Sequence, residues 1–153
     1  MEIVGQSNGQ NLRIAIVVSR FNQLVTDRLS NGAMQQLLQL GVSKKDITVI
    51  QVPGAMEIPR IVNLISKNKK YDGILALGAV VRGETAHFDY VCAQSAQGVA
   101  QTTLNGEVPV MYGILTTDNM SQALNRAGGK SGNKGAECAS DVIEMINLEK
   151  ELS

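Results

Sequence analysis

Aromatic residues are scarce in this chain. There is no tryptophan, and Phe21, Phe88, Tyr71, Tyr90 and Tyr112 make up only 3% of the 153 residues. A core built around stacked rings is excluded; the interior must be aliphatic, and each ring needs its own explanation. Cysteine is almost absent. Cys92 and Cys138 form neither a metal-ligand spacing nor a disulfide framework. Both read as packing residues of a reduced, cytoplasmic protein. Neither sign of charge is in excess: lysine plus arginine and aspartate plus glutamate are 14 each. Nothing suggests the basic face that nucleic acid requires, whereas a net charge of zero offers little resistance to self-association. No apolar run reaches the length of a membrane span. No basic segment leads into an apolar one at the start, so no export signal is expected. Histidine occurs once, at position 87.

What remains is a globular composition, 44% apolar and 18% charged, long enough for one domain. Residues 1–11 form a mostly polar arm in which only Ile3 and Val4 hint at an edge strand, available to pair with a neighbouring subunit. The domain proper spans 12–153. Leu12–Ser19 is a β-branched run typical of a strand buried on both faces, and Ile47–Val52, Gly73–Val81 and Val108–Leu115 read as three more strands. A helix follows the first strand, with Val25, Leu29, Ala33, Leu37 and Leu40 on one face and Gly41 placed as its C-terminal cap. Ile58, Ile61, Val62 and Ile65 mark the next helix, with Pro59 tolerable in its first turn. Val91, Ser95, Val99 and Thr102 mark another, and Thr116–Asn119 supplies capping candidates for a helix through Arg126. The run from Gly128 to Gly135 has four glycines in eight residues, and a last helix is expected from about Ala136 to Leu152. Strands alternating with helices predict an α/β fold, a three-layer α/β/α sandwich around a central four-stranded parallel sheet. Ligands of such sheets bind at the C-terminal strand ends. The loops there hold Phe21 and Asn22; Ala55, Met56 and Glu57; Arg82 to His87; and, late in its strand, Tyr112 with Thr116 and Thr117.

Each candidate has a plain alternative. His87 stands near a helix N-terminus, where a lone histidine is often structural or solvated; an imidazole there can also move protons in a condensation. The same helix start favours an anion through its unpaired N–H groups. Arg82, Arg126 and Lys134 are surface charges or anion ligands, and a folded-back glycine-rich segment would bring the last two together. Gly-Gly-Lys-Ser-Gly-Asn-Lys-Gly lacks the spacing and preceding strand of a nucleotide-triphosphate loop. Phe21 is a buried loop anchor or a ring that stacks on a planar heterocycle. Glu57 caps its own helix or accepts from ligand hydroxyls.

Several segments together resemble the lumazine synthase family. They are Ser19-Arg20-Phe21-Asn22, Val52-Pro53-Gly54-Ala55-Met56-Glu57-Ile58-Pro59, Leu77 to Tyr90 with its Arg82-Gly83-Glu84-Thr85-Ala86-His87-Phe88-Asp89-Tyr90 core, Val108-Pro109-Val110, Gly113 to Thr117, and Arg126 to Gly135. The resemblance covers essentially the whole chain, in order, and is consistent with a flavodoxin-like sandwich.

The resemblance implies an enzyme of riboflavin biosynthesis. It condenses 5-amino-6-(D-ribitylamino)uracil with 3,4-dihydroxy-2-butanone 4-phosphate to give 6,7-dimethyl-8-ribityllumazine, phosphate and water, with no metal and no organic cofactor. By the same resemblance Phe21 stacks on the pyrimidine. Ala55, Met56 and Glu57 hold the pyrimidine and ribityl chain, and Ala79, Val80 and Val81 offer backbone partners to the heterocycle. Glu84 and Thr85 bind the phosphate, His87 transfers protons, Arg126 neutralises the phosphate, and Lys134 lies close by. Tyr112, Arg126 and Lys134 come from the adjacent subunit. Two residues depart from the family's habit: Met56 stands where an aromatic is frequent, and Tyr112 where phenylalanine is usual. The family forms pentamers, and the compact Gly128–Gly135 segment is that of members whose pentamers close into a 60-subunit icosahedral shell, which can enclose riboflavin synthase. A non-catalytic lumazine- or flavin-binding protein would keep Phe21 and Glu57 but not need His87 and Arg126. A flavodoxin-like electron carrier would need a glycine-bearing phosphate loop after the first strand, which Arg20-Phe21-Asn22 is not.

Overall fold

A computed structural model describes residues 1–153. Its centre is two strands that the sequence makes apolar on both faces: β1 (Ile14–Ser19), buried at every position, and β3 (Gly73–Val81), buried except at its last residue. β2 (Ile47–Val52) and β4 (Val110–Thr117) flank them, giving a parallel sheet in the order β2-β1-β3-β4. The central strands run consecutively in space but not in sequence, so helical crossovers must cover both faces. On one face, α1 (Gln23–Gln39) and α5 (Lys134–Leu152) pack on Ile14, Ile16, Leu75 and Leu77. On the other, α2 (Ile58–Ser66) and α3 (His87–Asn105) pack on Ala15, Val17, Ile74 and Ala76. Adjacent strand residues thus feed opposite cores, as the period of two requires. This is the three-layer α/β/α sandwich expected. The core is aliphatic: among the aromatics only Phe88 is buried. No helix is long and apolar enough to cross a membrane.

Some boundaries differ from the sequence reading. β4 begins at Val110, because Pro109 has no N–H to give a ladder, although its carbonyl accepts from Ile74 N–H at 3.0 Å. The strand then runs on to Thr117, opposite Val81. Tyr112 is consequently the third residue of β4, opposite Ala76 in mid-sheet, and not late in its strand. After α4 (Met120–Asn125), the glycine-rich segment forms a small antiparallel pair, β5 (Ala127–Gly129) with β6 (Gly132–Asn133). Helix α5 starts two residues earlier than expected, since Asn133 caps it by accepting from Ala136 N–H at 3.1 Å. The arm has no strand within its own chain. It lies along α5, where the Asn147 amide donates to the carbonyls of Gln6 (2.6 Å) and Asn8 (2.9 Å), while Ile3 and Val4 stay exposed.

Candidate active site

The C-terminal ends of β1, β2 and β3 enclose a cleft of about 570 Å³. It is lined by Phe21, Asn22, residues 53–57, Ala79–Val81, Gly83, Thr85, His87, Phe88 and Val91. Its first wall comes from the turn after β1. The ladder to β2 continues past Ser19, through Arg20 N–H to the Val52 carbonyl (2.8 Å) and Phe21 N–H to the Pro53 carbonyl (3.0 Å). Asn22 then adopts a left-handed conformation, φ 62°, which asparagine tolerates better than most residues. That bend sends the chain into α1 and leaves the Phe21 ring 71% exposed at the cleft. Phe21 is therefore no buried anchor. The Asn22 side chain does not cap α1; its amide donates to the Ala79 carbonyl at 2.9 Å and ties the turn to the end of β3.

The second wall is the turn from β2 into α2. Ala55 is buried and Met56 and Glu57 are exposed. Glu57 occupies the N-cap position of α2, yet its carboxylate makes no capping bond and no ion pair. The capping alternative is thus not the one the fold uses, and the carboxylate is left available at the cleft.

The third wall is the loop from β3 into α3. The loop is exposed from Arg82 to His87, and no side chain caps the helix at Ala86. Thr85 Oγ1 accepts from His87 N–H at 3.3 Å. The His87 ring is exposed and has no hydrogen-bond partner in the chain, so it is not a satisfied core histidine. Glu84 belongs to the same loop without lining the cleft. Arg82 is not a free anion ligand: it pairs with Asp118 at 3.1 Å and Asp89 at 3.4 Å.

Arg126 and Lys134 lie elsewhere. The β5–β6 pair folds back, Lys134 N–H donates to the Arg126 carbonyl at 2.8 Å, and both side chains line a second hollow of about 360 Å³. Ile114–Thr117, Ser131 and Glu137 complete it. Lys134 pairs with Glu137 at 3.5 Å, whereas Arg126 has no ion pair. Tyr112 lines neither hollow; it is half-buried against the α2–α3 core, where burial pushes its phenol pKa up. One subunit thus keeps the expected heterocycle-binding residues and the expected cations apart.

The cleft has apolar side walls, a projecting ring, an unpaired carboxylate, and a helix start with open N–H groups. That set suits a planar polar heterocycle bearing hydroxyls, together with an anion. No three His, Cys, Asp or Glu side chains are grouped as metal ligands would be. Sequence reasoning named Asn22 at the ligand-binding edge without giving it a role, and passed over Phe88 and Val91 as lining residues. Asn22 was marked by its place just past a strand and within the Ser19–Asn22 segment, and Phe88 and Val91 by their spacing on one face of α3 behind His87.

Comparison with known proteins gives the family. A model of the 6,7-dimethyl-8-ribityllumazine synthase family matches residues 11–150. A protein of that name from Pediococcus pentosaceus is 58% identical, covering 97% of this chain and 96% of its own length. Those from Levilactobacillus brevis and Lactiplantibacillus plantarum are 53% identical (99% and 97% covered) and 51% identical (95% and 92%). With residues 11–150 matched and relatives more than 50% identical over nearly their whole lengths, the chain belongs to the 6,7-dimethyl-8-ribityllumazine synthase family.

Proposed function

We infer that the cleft is the main part of the active site for the family's reaction. The chain is an enzyme of riboflavin biosynthesis that condenses 5-amino-6-(D-ribitylamino)uracil with 3,4-dihydroxy-2-butanone 4-phosphate. The observation that carries the site assignment is the convergence of Phe21, Glu57, Ala79–Val81, Thr85 and His87 on one cleft.

Phe21 stacks on the pyrimidine, and Glu57 accepts from ribityl hydroxyls. Ala55, Met56 and the backbone of Ala79–Val81 shape and bond the heterocycle. The phosphate sits at the start of α3, on N–H groups of the Glu84–Thr85 segment and the Thr85 hydroxyl. Amine addition to the ketone and loss of water give an imine. His87 takes and returns protons as phosphate leaves and the enol tautomerises. The second amine then closes the ring with loss of another water. No step needs a protein nucleophile, so holding the two substrates together does much of the work.

Arg126, Lys134 and Tyr112 complete the site from an adjacent subunit. Their separation from the cleft within one chain supports this reading. The assembly is a pentamer, with twelve pentamers closing into a cytoplasmic shell able to hold riboflavin synthase.

The test mixes the purified assembly with both substrates and follows lumazine fluorescence with phosphate release. Turnover well above the uncatalysed rate is expected, falling on the order of 10²-fold in His87→Ala. Product at only the uncatalysed rate would leave a lumazine-binding protein as the better description.

A further inference from the structure

The loop proposed to receive the phosphate is poorly anchored by its own residues. From Gly83 to His87 the side chains are exposed, and a Cβ at Gly83 would meet nothing within 4 Å. Its side-chain ties to the rest of the subunit pass through Arg82. The Arg82 N–H donates to the Thr117 carbonyl at 2.9 Å, at the end of β4. The guanidinium donates from Nε to Asp118 at 3.1 Å and from Nη1 to Asp89, in the first turn of α3, at 3.4 Å. Its central carbon lies 4.3 Å from the centroid of the Phe88 ring, which forms part of the cleft wall. Asp118 is itself held, its N–H donating to Gln122 of α4 at 2.8 Å.

We propose that Arg82 is a positioning residue: a strut that joins the end of β4 to the first turn of α3 and so fixes the Gly83–His87 loop for the phosphate-bearing substrate. This rests on the reading of the cleft as the active site. A planar fork is needed, because one group must bridge two carboxylates while lying over a ring; an ammonium cannot do all three. The strut also neutralises Asp89, whose charge would otherwise face an incoming phosphate at the same helix start. Arg82 does this as a spacer rather than a ligand: its Nε and Nη1 donors are directed at Asp118 and Asp89, and it does not line the cleft.

The experiment compares Arg82→Ala, Arg82→Lys and Asp118→Asn in the assembled protein, by steady-state kinetics and by amide exchange. In Arg82→Ala the KM for the butanone phosphate should rise about tenfold and kcat fall about tenfold, with the pyrimidine KM within about twofold. Amides at 89–92, the first hydrogen-bonded turn of α3, should exchange faster, and those of β1 and β3 should not. Arg82→Lys should not restore these values, and Asp118→Asn should reproduce the pattern more weakly, with little added in the double variant. Unchanged exchange at 89–92 in Arg82→Ala would overturn the strut, as would full recovery in Arg82→Lys. A kinetic loss confined to Arg82, with Asp118→Asn silent, would make it a substrate contact instead. If His87→Ala also left kcat and both KM values unchanged, the assignment of the cleft would be what failed; exchange at 89–92 would still decide the strut.

Discussion

Asp72 sits just before β3 and meets Arg13, just before β1, in four hydrogen bonds. Arg13 N–H donates to its carboxylate at 2.7 Å, the guanidinium adds bonds of 3.1 and 3.4 Å, and Asp72 N–H returns one to the Arg13 carbonyl at 2.7 Å. Burial by itself would raise the Asp72 pKa, but the Arg13 guanidinium and backbone N–H together outweigh it and hold the carboxyl below its ordinary value. A carboxyl lowered on folding stabilises the native state fully above its unfolded pKa, about 4, and loses that contribution as pH falls through its folded value. Asp72→Asn keeps an acceptor for the Arg13 N–H and removes the charge. It should therefore melt lower than the parent at pH 7, with the gap closing as pH drops below the carboxylate range. A gap of constant size would mean that the charge is not what matters. The same scale explains Phe21. Its exposure comes from its neighbour, because Asn22 can take the left-handed bend and still bond Ala79.

Helix α1 illustrates what one element owes to its end. Gly41 takes φ 102°, its N–H reaches the Leu38 carbonyl at 3.1 Å, and Val42 N–H reaches Leu37 at 3.0 Å, so the last carbonyls are satisfied and Val42 turns inward. Gly41→Ala should cost about 1 kcal/mol, seen as a melting point lowered by about 2–4 °C. An unchanged melting point would mean that the cap is strained already. This glycine was legible in the sequence, as were β1 and β3, because each rests on a local signal: a break in helical spacing or an unbroken apolar run. The cleft was legible for a related reason, since loops at the ends of parallel strands share one edge. Other features depend on contacts between distant segments. Tyr112 could be placed only once Val81 was known to pair with Thr117. The separation of Arg126 and Lys134 from His87 follows from α5 packing beside α1, on the face of the sheet opposite α3. The arm carries no pattern that announces Asn147 as its clasp.

At the scale of the molecule, the division into two hollows makes a test that no single-subunit site would pass. His87→Ala damages one hollow and Arg126→Ala the other. Co-expressed so that both variants enter one assembly, they should recover activity that neither has alone, since random mixing gives about one site in four an intact half from each neighbour. No recovery would place both halves in the same subunit. The proposed sharing of the two hollows between neighbours also gives the subunit a direction. A chain that lends its cations to one neighbour and borrows them from another has unlike contact faces, one giving and one receiving. Across a twofold axis two such chains could exchange cations reciprocally at one self-complementary interface, whereas in the proposed ring the giving and receiving faces meet different neighbours. A head-to-tail succession of that kind either closes on itself or grows without end. In the proposed ring, every site completed by a neighbour advances the assembly by one subunit in the same rotational sense.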